Sequence, residues 1–260
     1  MNSVLQYLKG GKSLSQLAKR HFLPNQSIKE YYETVTMTRK ALLDKILWAE
    51  TFINDLDLEK LHFYVQEIAK SVDPNLNLYL PYHTYLYLLC RILKPNLVVE
   101  TGVERGSSTF VILKALQTNG YGKLTSVELA KRVYIAPRFS VPMALVIREA
   151  EKNKDISLEN WDLHFGNSLE VLPKLQDEHH GKVDIFVHGS DHCYEVQKAE
   201  LMVADELVPR NGFIVVDRPD YNGFKAVKEA FFDRTKYSVT TLPEKSVRSP
   251  LMFSIVKKLV

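Results

Sequence analysis

Residues 97–109 read Leu97-Val98-Val99-Glu100-Thr101-Gly102-Val103-Glu104-Arg105-Gly106-Ser107-Ser108-Thr109. An apolar run closes on an acid, two glycines follow, and hydroxyl residues lead into an apolar-periodic segment from Thr109 to Leu116. This order predicts a strand, a tight glycine turn and the start of a helix. In such a turn the backbone approaches a ligand closely and free helix N–H groups face an anion. A phosphate loop needs a lysine after its second glycine, and the dinucleotide fingerprint needs G-x-G-x-x-G; this turn has neither. An acid closing the strand, with glycines after it, suits a ligand that carries an ammonium group as well as a carboxylate. Taken alone, the segment also reads as an ordinary βα turn with two glycines placed for geometry.

Four further runs repeat the pattern. Leu124–Glu128 ends in an acid, at the place where doubly wound sheets put a carboxylate for ribose hydroxyls. Trp161–Phe165 runs into Gly166-Asn167-Ser168, and Asn167 with Glu170 predicts an N-cap pair for the next helix. Val183–Val187 leads into His188-Gly189-Ser190-Asp191-His192-Cys193-Tyr194, and Phe213–Val216 ends in Asp217. A single terminal acid is also explained as a helix cap. Repeated polar endings before helical patterns predict an α/β fold of βα units with one functional edge.

The remaining segments frame that core. Residues 1–75 are helical in pattern (Leu42, Ile46, Phe52, then Leu61, Tyr64, Ile68), a cap for substrate or oligomer contacts, with residues 76–260 as the main domain. A helix is expected over 76–93, beginning near Pro81. Residues 130–157, with Arg138, Phe139, Pro142 and Met143, break the βα rhythm, residues 222–234 look helical, and 237–242 and 251–257 alternate as two strands. Tyr79, Tyr82, Tyr85 and Tyr87 line a pocket or form the core face of an amphipathic helix. Trp161 and Phe165 are expected in the core, and His179 and His180 in a solvated loop.

Composition sets outer bounds. The 260 residues are 45% hydrophobic and 25% charged, enough for a sizeable core. No run approaches the roughly 18 apolar residues of a membrane span. Residues 1–25 lack a signal-peptide apolar core. Two cysteines form no disulfide framework, so a cytoplasmic setting is expected. A net charge of +3 without a basic, aromatic-interleaved stripe argues against nucleic acid as partner.

From about Tyr82 onward the chain resembles the class I S-adenosylmethionine-dependent methyltransferases. The likeness is to the small-molecule branch whose fourth strand carries Asp-Gly-Asp-His-x-Tyr-Glu. Here the signature stands as His188-Gly-Ser-Asp191-His192-Cys-Tyr194-Glu195, then Lys198-Ala-Glu200-Leu, Leu207-Val-Pro, Gly212 and Asp217. The resemblance implies a Rossmann-like, doubly wound, mostly parallel seven-stranded sheet with an antiparallel last strand. It also implies S-adenosylmethionine as cofactor. Glu100, Gly102 and Gly106 would form the methionine-binding turn, with Thr101, Ser107 and Ser108 in the same turn. Glu128 would bind ribose, Asn167 and Ser168 would lie beside adenine, and Tyr82 with His83 would face the cofactor.

One departure bears on metal. Many such enzymes hold magnesium on carboxylates at the ends of strands four and five, where this chain has His188 and Asp217-Arg218. Magnesium prefers oxygen ligands, so no metal is expected. A His188/Asp191/His192 cluster, extended by Asp217, would instead suit zinc or iron. Methyl transfer needs chiefly an aligned nucleophile, helped for an alcohol by a base titrating near neutrality. His192 is the first candidate base and His188 the second. Asp191 either orients the base or caps the next helix, and Asp217 contacts substrate or holds the base. The expected partner is a small-molecule acceptor with a hydroxyl, such as a sugar or natural product, with no membrane or nucleic acid and a homo-oligomer conceivable. The alternatives are a catalytically inactive cofactor-binding subunit and a metal-dependent oxygenase on the same scaffold.

Overall fold

Five of the apolar runs form parallel strands whose successive side chains enter two different cores. A computed structural model describes residues 81–129, 132–136, 139–217, 225–245 and 250–260. The expected N-terminal helical segment and Tyr79 lie outside the described residues, as do Arg138 and Arg218, and so does the side chain of Tyr85. Helix α1 spans Pro81–Leu93, from the first described residue onward. Strand β1 (Leu97–Thr101), helix α2 (Ser107–Asn119) and strand β2 (Lys123–Glu128) form the first βα unit and its return.

After β2 the rhythm breaks. Strands β3 (Arg132–Ala136) and β4 (Phe139–Pro142) make a separate antiparallel pair, and α3 (Leu145–Lys152) follows. The sheet then resumes with β5 (Trp161–Phe165), α4 (Ser168–His179), β6 (Ile185–His188), α5 (Tyr194–Leu207) and β7 (Phe213–Asp217). A short α6 (Lys225–Ala230) precedes the long strands β8 (Tyr237–Lys245) and β9 (Pro250–Lys258).

The spatial order is β5-β2-β1-β6-β7-β9-β8. The first five of these are mutually parallel, and β9 inserts antiparallel between β7 and β8. The seven-stranded, mostly parallel, doubly wound sheet expected from the sequence is therefore present, closed by an antiparallel last strand.

Strand alternation explains the double winding. Val98, Ile185, Val187, Phe213, Val215 and Ile255 pack with residues of α1, α2 and α3. Their neighbours Val99, Phe186, Ile214, Val216 and Val256 pack on the other face with α4, α5 and α6. Near-continuous apolar runs are what a parallel sheet covered on both faces requires. Phe165 departs from expectation: it is 48% exposed, because β5 is the sheet edge and Phe165 ends the strand. Trp161 is half-buried and packs against the core as expected.

The centre of the sheet is pinned by Asp184, just before β6. Its Oδ2 accepts the N–H groups of Asn96 at 2.7 Å and Leu97 at 3.1 Å. Its own N–H donates to Leu97, and its carbonyl accepts from Phe213. Asp184→Ala should leave two backbone N–H groups to water and lower stability by about 1–2 kcal/mol, visible as a melting temperature several degrees lower. An unchanged thermal transition would show that the side chain does not tie the strands.

Candidate active site

At the carboxyl edge of the sheet three glycines carry the ladder beyond the strands. Gly102 N–H donates to Val127 C=O at 2.9 Å, Gly166 N–H to Glu128 C=O at 3.0 Å, and Gly189 N–H to Thr101 C=O at 2.8 Å. Gly102 has φ +81°, and a Cβ there would sit 2.3 Å from the Gly189 carbonyl oxygen. The turns after β1 and β6 thus meet backbone to backbone, and no side chain fits between them.

Two cavities flank this contact. The wider, about 550 Å³, is bordered by Glu128, Asn167, Ser168, Asp191 and His192 among others. The narrower, about 170 Å³, is bordered by Tyr82, His83, Ser107, Ser108, His192 and Asp217. Gly102, Glu104, Gly189 and His192 border both, so the cavities adjoin at the glycine contact.

Three carboxylates shape the surrounding turns. Glu128, at the tip of β2, accepts the N–H groups of Val103 and Glu104, both at 2.8 Å, while still facing the wider cavity. It thereby holds the glycine turn from the side. Glu100 points to the α2 face and is fully buried. Ser108 Oγ–H donates to it at 2.6 Å, Thr109 Oγ1–H at 2.7 Å and Ser126 Oγ–H at 2.9 Å. Trp161 Nε1–H donates in turn to Ser126. Burial pushes the Glu100 carboxyl up to about 7; the three hydroxyls oppose this and the Glu128 charge adds to it.

Glu200 is buried on the other face of the sheet. Its Oε2 accepts from Thr101 Oγ1–H at 2.6 Å and lies 2.8 Å from His188 Nδ1, while Oε1 accepts from Ser190 Oγ–H at 2.6 Å. Burial alone would raise this carboxyl. The hydrogen bond and charge of His188, with the hydroxyls of Ser168 and Ser190, hold it below the ordinary glutamate value.

The structure brings His83, Gly102, Ser107, Ser108, Glu128, Asn167, Ser168, Asp191, His192 and Asp217 to the two cavities. Four candidates stand elsewhere, each for a physical reason. Glu100 lies beneath the turn with its oxygens taken by hydroxyls, so it shapes the turn and does not face an ammonium group. Thr101 is buried and bonded to Glu200. Gly106 opens room for α3, since a Cβ there would approach Ile147 Cγ1 to 2.8 Å. His188 is 0% exposed behind the loop, out of reach of a substrate.

Smaller points follow the same geometry. Asn167 caps α4, accepting from Leu169 N–H at 3.0 Å. Asp191 accepts from Cys193 N–H at 2.9 Å, an Asx turn ahead of α5, whose N-cap Cys193 has no side-chain cap, and it stays at the cavity wall. Tyr87 is core, whereas Tyr82 is both buried and at the narrower cavity. His179 ends α4 and His180 is exposed, both away from the cavities. His188 Nδ1 is committed to Glu200, and among the described residues no three His, Cys, Asp or Glu side chains converge as metal ligands. Among the described residues the strand-tip position His188 offers magnesium no oxygen ligand.

Glu200, Gly189, Ser190, Glu104 and Arg105 border or support the site and were not among its expected residues, although Glu200, Gly189 and Ser190 stand in the quoted signature. Glu200 had a readable signal: it shares the buried stripe of α5 with Gln197, Leu201 and Ala204, where a charge needs a partner.

A doubly wound sheet whose glycine turns meet beside acid-tipped strands is the arrangement at which open α/β folds bind nucleotide ligands. Residues 99–218 match the family profile described as a methyltransferase domain. No curated protein matches it by sequence.

Solved structures share the fold at low identity. The O-methyltransferase TomG of Streptomyces achromogenes, involved in tomaymycin synthesis and in complex with SAM, is 16% identical with a TM-score of 0.59, over 89% of this chain and 99% of that one. A Bacillus cereus O-methyltransferase in complex with SAH is 17% identical with a TM-score of 0.51, over 87% and 99%. An SAH-bound methyltransferase of Podospora anserina is 15% identical with a TM-score of 0.53, over 92% and 99%.

Glu100 makes stability pH-dependent in a definite direction. Its folded value lies above its unfolded one, so the unfolded chain ionises first. Stability is then full below about 4.5 and declines as pH rises towards 7, by at most about 3 kcal/mol. Glu100→Gln should flatten that decline in calorimetric melts between pH 4.5 and 7.5. Parallel curves for the two proteins would refute the assignment.

Proposed function

We propose that the protein transfers a methyl group from S-adenosylmethionine to a hydroxyl of a small polar acceptor, with His192 as general base. The observation that carries this reading is the position of His192, on the wall common to both cavities beside the Gly102–Gly189 contact. The wider cavity has the size of a small-molecule site, with a carboxylate at one strand tip and an amide and hydroxyl at another. Glu128 would hold the ribose, and Asn167 with Ser168 would flank the adenine. Gly106, the N-cap of α2, provides no side-chain cap, and the first turn of α2 carries no acid. Its leading N–H groups, with Ser107 and Ser108 nearby, suit the methionine carboxylate.

Held by these residues, S-adenosylmethionine would supply a methyl group activated by its sulfonium, which would pass to the acceptor oxygen as the carbon–sulfur bond breaks and leaves its electron pair on sulfur. His192 takes the acceptor's proton in the same step and later releases it to solvent. Glu104 and Asp217 line the narrower cavity with Arg105, two carboxylates against one guanidinium. That lining favours a polyhydroxylated or cationic acceptor over an acidic one. Among the described residues no helix is long and apolar enough to cross a membrane. A cytoplasmic setting, in which Cys90 and Cys193 stay free, accords with this function.

Calorimetry should show S-adenosylmethionine binding in the micromolar range. Glu128→Ala should weaken it about 10- to 100-fold, the loss of a charge-assisted bond together with the brace on the turn. Absence of binding by the folded wild-type protein would sink the proposal, as would a Glu128→Ala protein that binds equally well.

A further inference from the structure

Helix α5 carries a charged residue into the core, and the reason lies on the neighbouring strand tip. Glu200 and His188 are both 0% exposed, 2.8 Å apart through Nδ1. A buried carboxylate is costly unless bonded, and Glu200 has side-chain partners on β1, β6, the loop after β6 and the first turn of α4. His188 is less complete. Its Nε2 is buried and has no hydrogen-bond partner among the described residues. The ring beside it is His192, with centroids 5.8 Å apart and planes at 81°. His192 Nδ1 is buried as well.

Ordinary structural roles account poorly for this arrangement. An apolar residue at 188 would continue the buried strand pattern of Ile185, Phe186 and Val187 without an orphaned nitrogen. Thr101 and Ser190 would anchor Glu200 without any imidazole. What the imidazole adds is a polar atom directed away from Glu200, on the ring that packs against His192.

We propose that Glu200 and His188 form a buried acid–imidazole pair that backs His192, with His188 Nε2 accepting a hydrogen bond from His192 as that ring takes up the acceptor's proton. In this arrangement Glu200 is ionised and accepts the Nδ1–H of His188, which leaves a lone pair on Nε2. The carboxylate held below its ordinary value agrees with that charge state. The N–H that the neutral His192 ring carries donates to this lone pair while its other nitrogen takes the acceptor's proton, and the resulting imidazolium has a net negative charge behind it. His192 becomes a stronger base. The two rings are not hydrogen-bonded at their present spacing, and such contacts commonly tighten only when substrate fills the site. His188 and Glu200 are positioning residues, since neither borders a cavity.

The inference rests on His192 as the base but is tested without an acceptor. The other ionisable groups around the cavities that His192 borders are Asp217 on β7, Glu104 and Arg105 in the turn after β1, His83 on α1, and Asp191 and Glu128 at the wider cavity. None is altered in the variant below.

The experiment is side-chain NMR of the full chain saturated with S-adenosylhomocysteine. Long-range proton–nitrogen spectra of the wild type should show His188 protonated at Nδ1 and bare at Nε2 near neutral pH. In Glu200→Gln the titration of His192 should move to lower pH by about one unit, with Glu200→Asp restoring most of the shift. A His188 protonated at Nε2, or a His192 titration identical in wild type and folded Glu200→Gln, would overturn the proposal. If Glu200→Gln does not fold, the wild-type tautomer decides. Failure of S-adenosylhomocysteine to bind would instead count against the cofactor reading, so the two fail separately.

Discussion

The site depends on one steric constraint: the backbone at Gly102 must lie against the carbonyl of Gly189. A Cβ at Gly102 would fall inside contact distance of that carbonyl. The contact brings the turns after two adjacent parallel strands together at the carboxyl edge of the sheet. In open α/β sheets this edge is where ligands gather, because helix N-termini and strand-end side chains converge there. Both cavities include these two glycines in their walls, so the contact separates and aligns them.

Two buried carboxylates brace the contact from opposite faces, and strand alternation dictates which face each serves. Glu100 follows Val99 and turns to the α2 side, where Ser108, Thr109 and Ser126 meet it. Thr101, the next residue, turns to the α5 side, where Glu200 binds it together with His188 and Ser190. Each carboxylate joins residues from several elements. The glycine turn is therefore clamped by polar bonds where apolar packing ends. Local networks of this kind define geometry more sharply than they add stability, since desolvation offsets much of the gain.

Much of the architecture was legible in the chain. The runs at 97–99, 124–128, 161–165, 183–187 and 213–216 announce strands through apolar content and polar endings, and Asn167 marks a helix start by local chemistry. What escaped the sequence was the direction of side chains around the turns. Glu100, Thr101 and His188 sit within motifs that resemble a cofactor site, yet alternation and closure of the sheet turn all three inward. Residue type and spacing do not reveal whether a strand-end acid meets a ligand or hydroxyls of its own fold. Glu200 is the converse case: a polar residue on an apolar helical stripe, whose meaning depends on an imidazole twelve residues earlier across a crossover. The β3–β4 pair also escaped, since it packs outside the main sheet and breaks the βα rhythm.

The central claim is that the two adjoining cavities form one cofactor-and-acceptor cleft centred on the glycine contact. A crystal structure of the protein with S-adenosylhomocysteine tests it most directly. The ribose is expected at Glu128, the adenine beside Asn167 and Ser168, and the sulfur near Gly102 and Gly189 with His192 beside it. Ligand bound away from the Gly102–Gly189 contact, or a sulfur remote from His192, would contradict it.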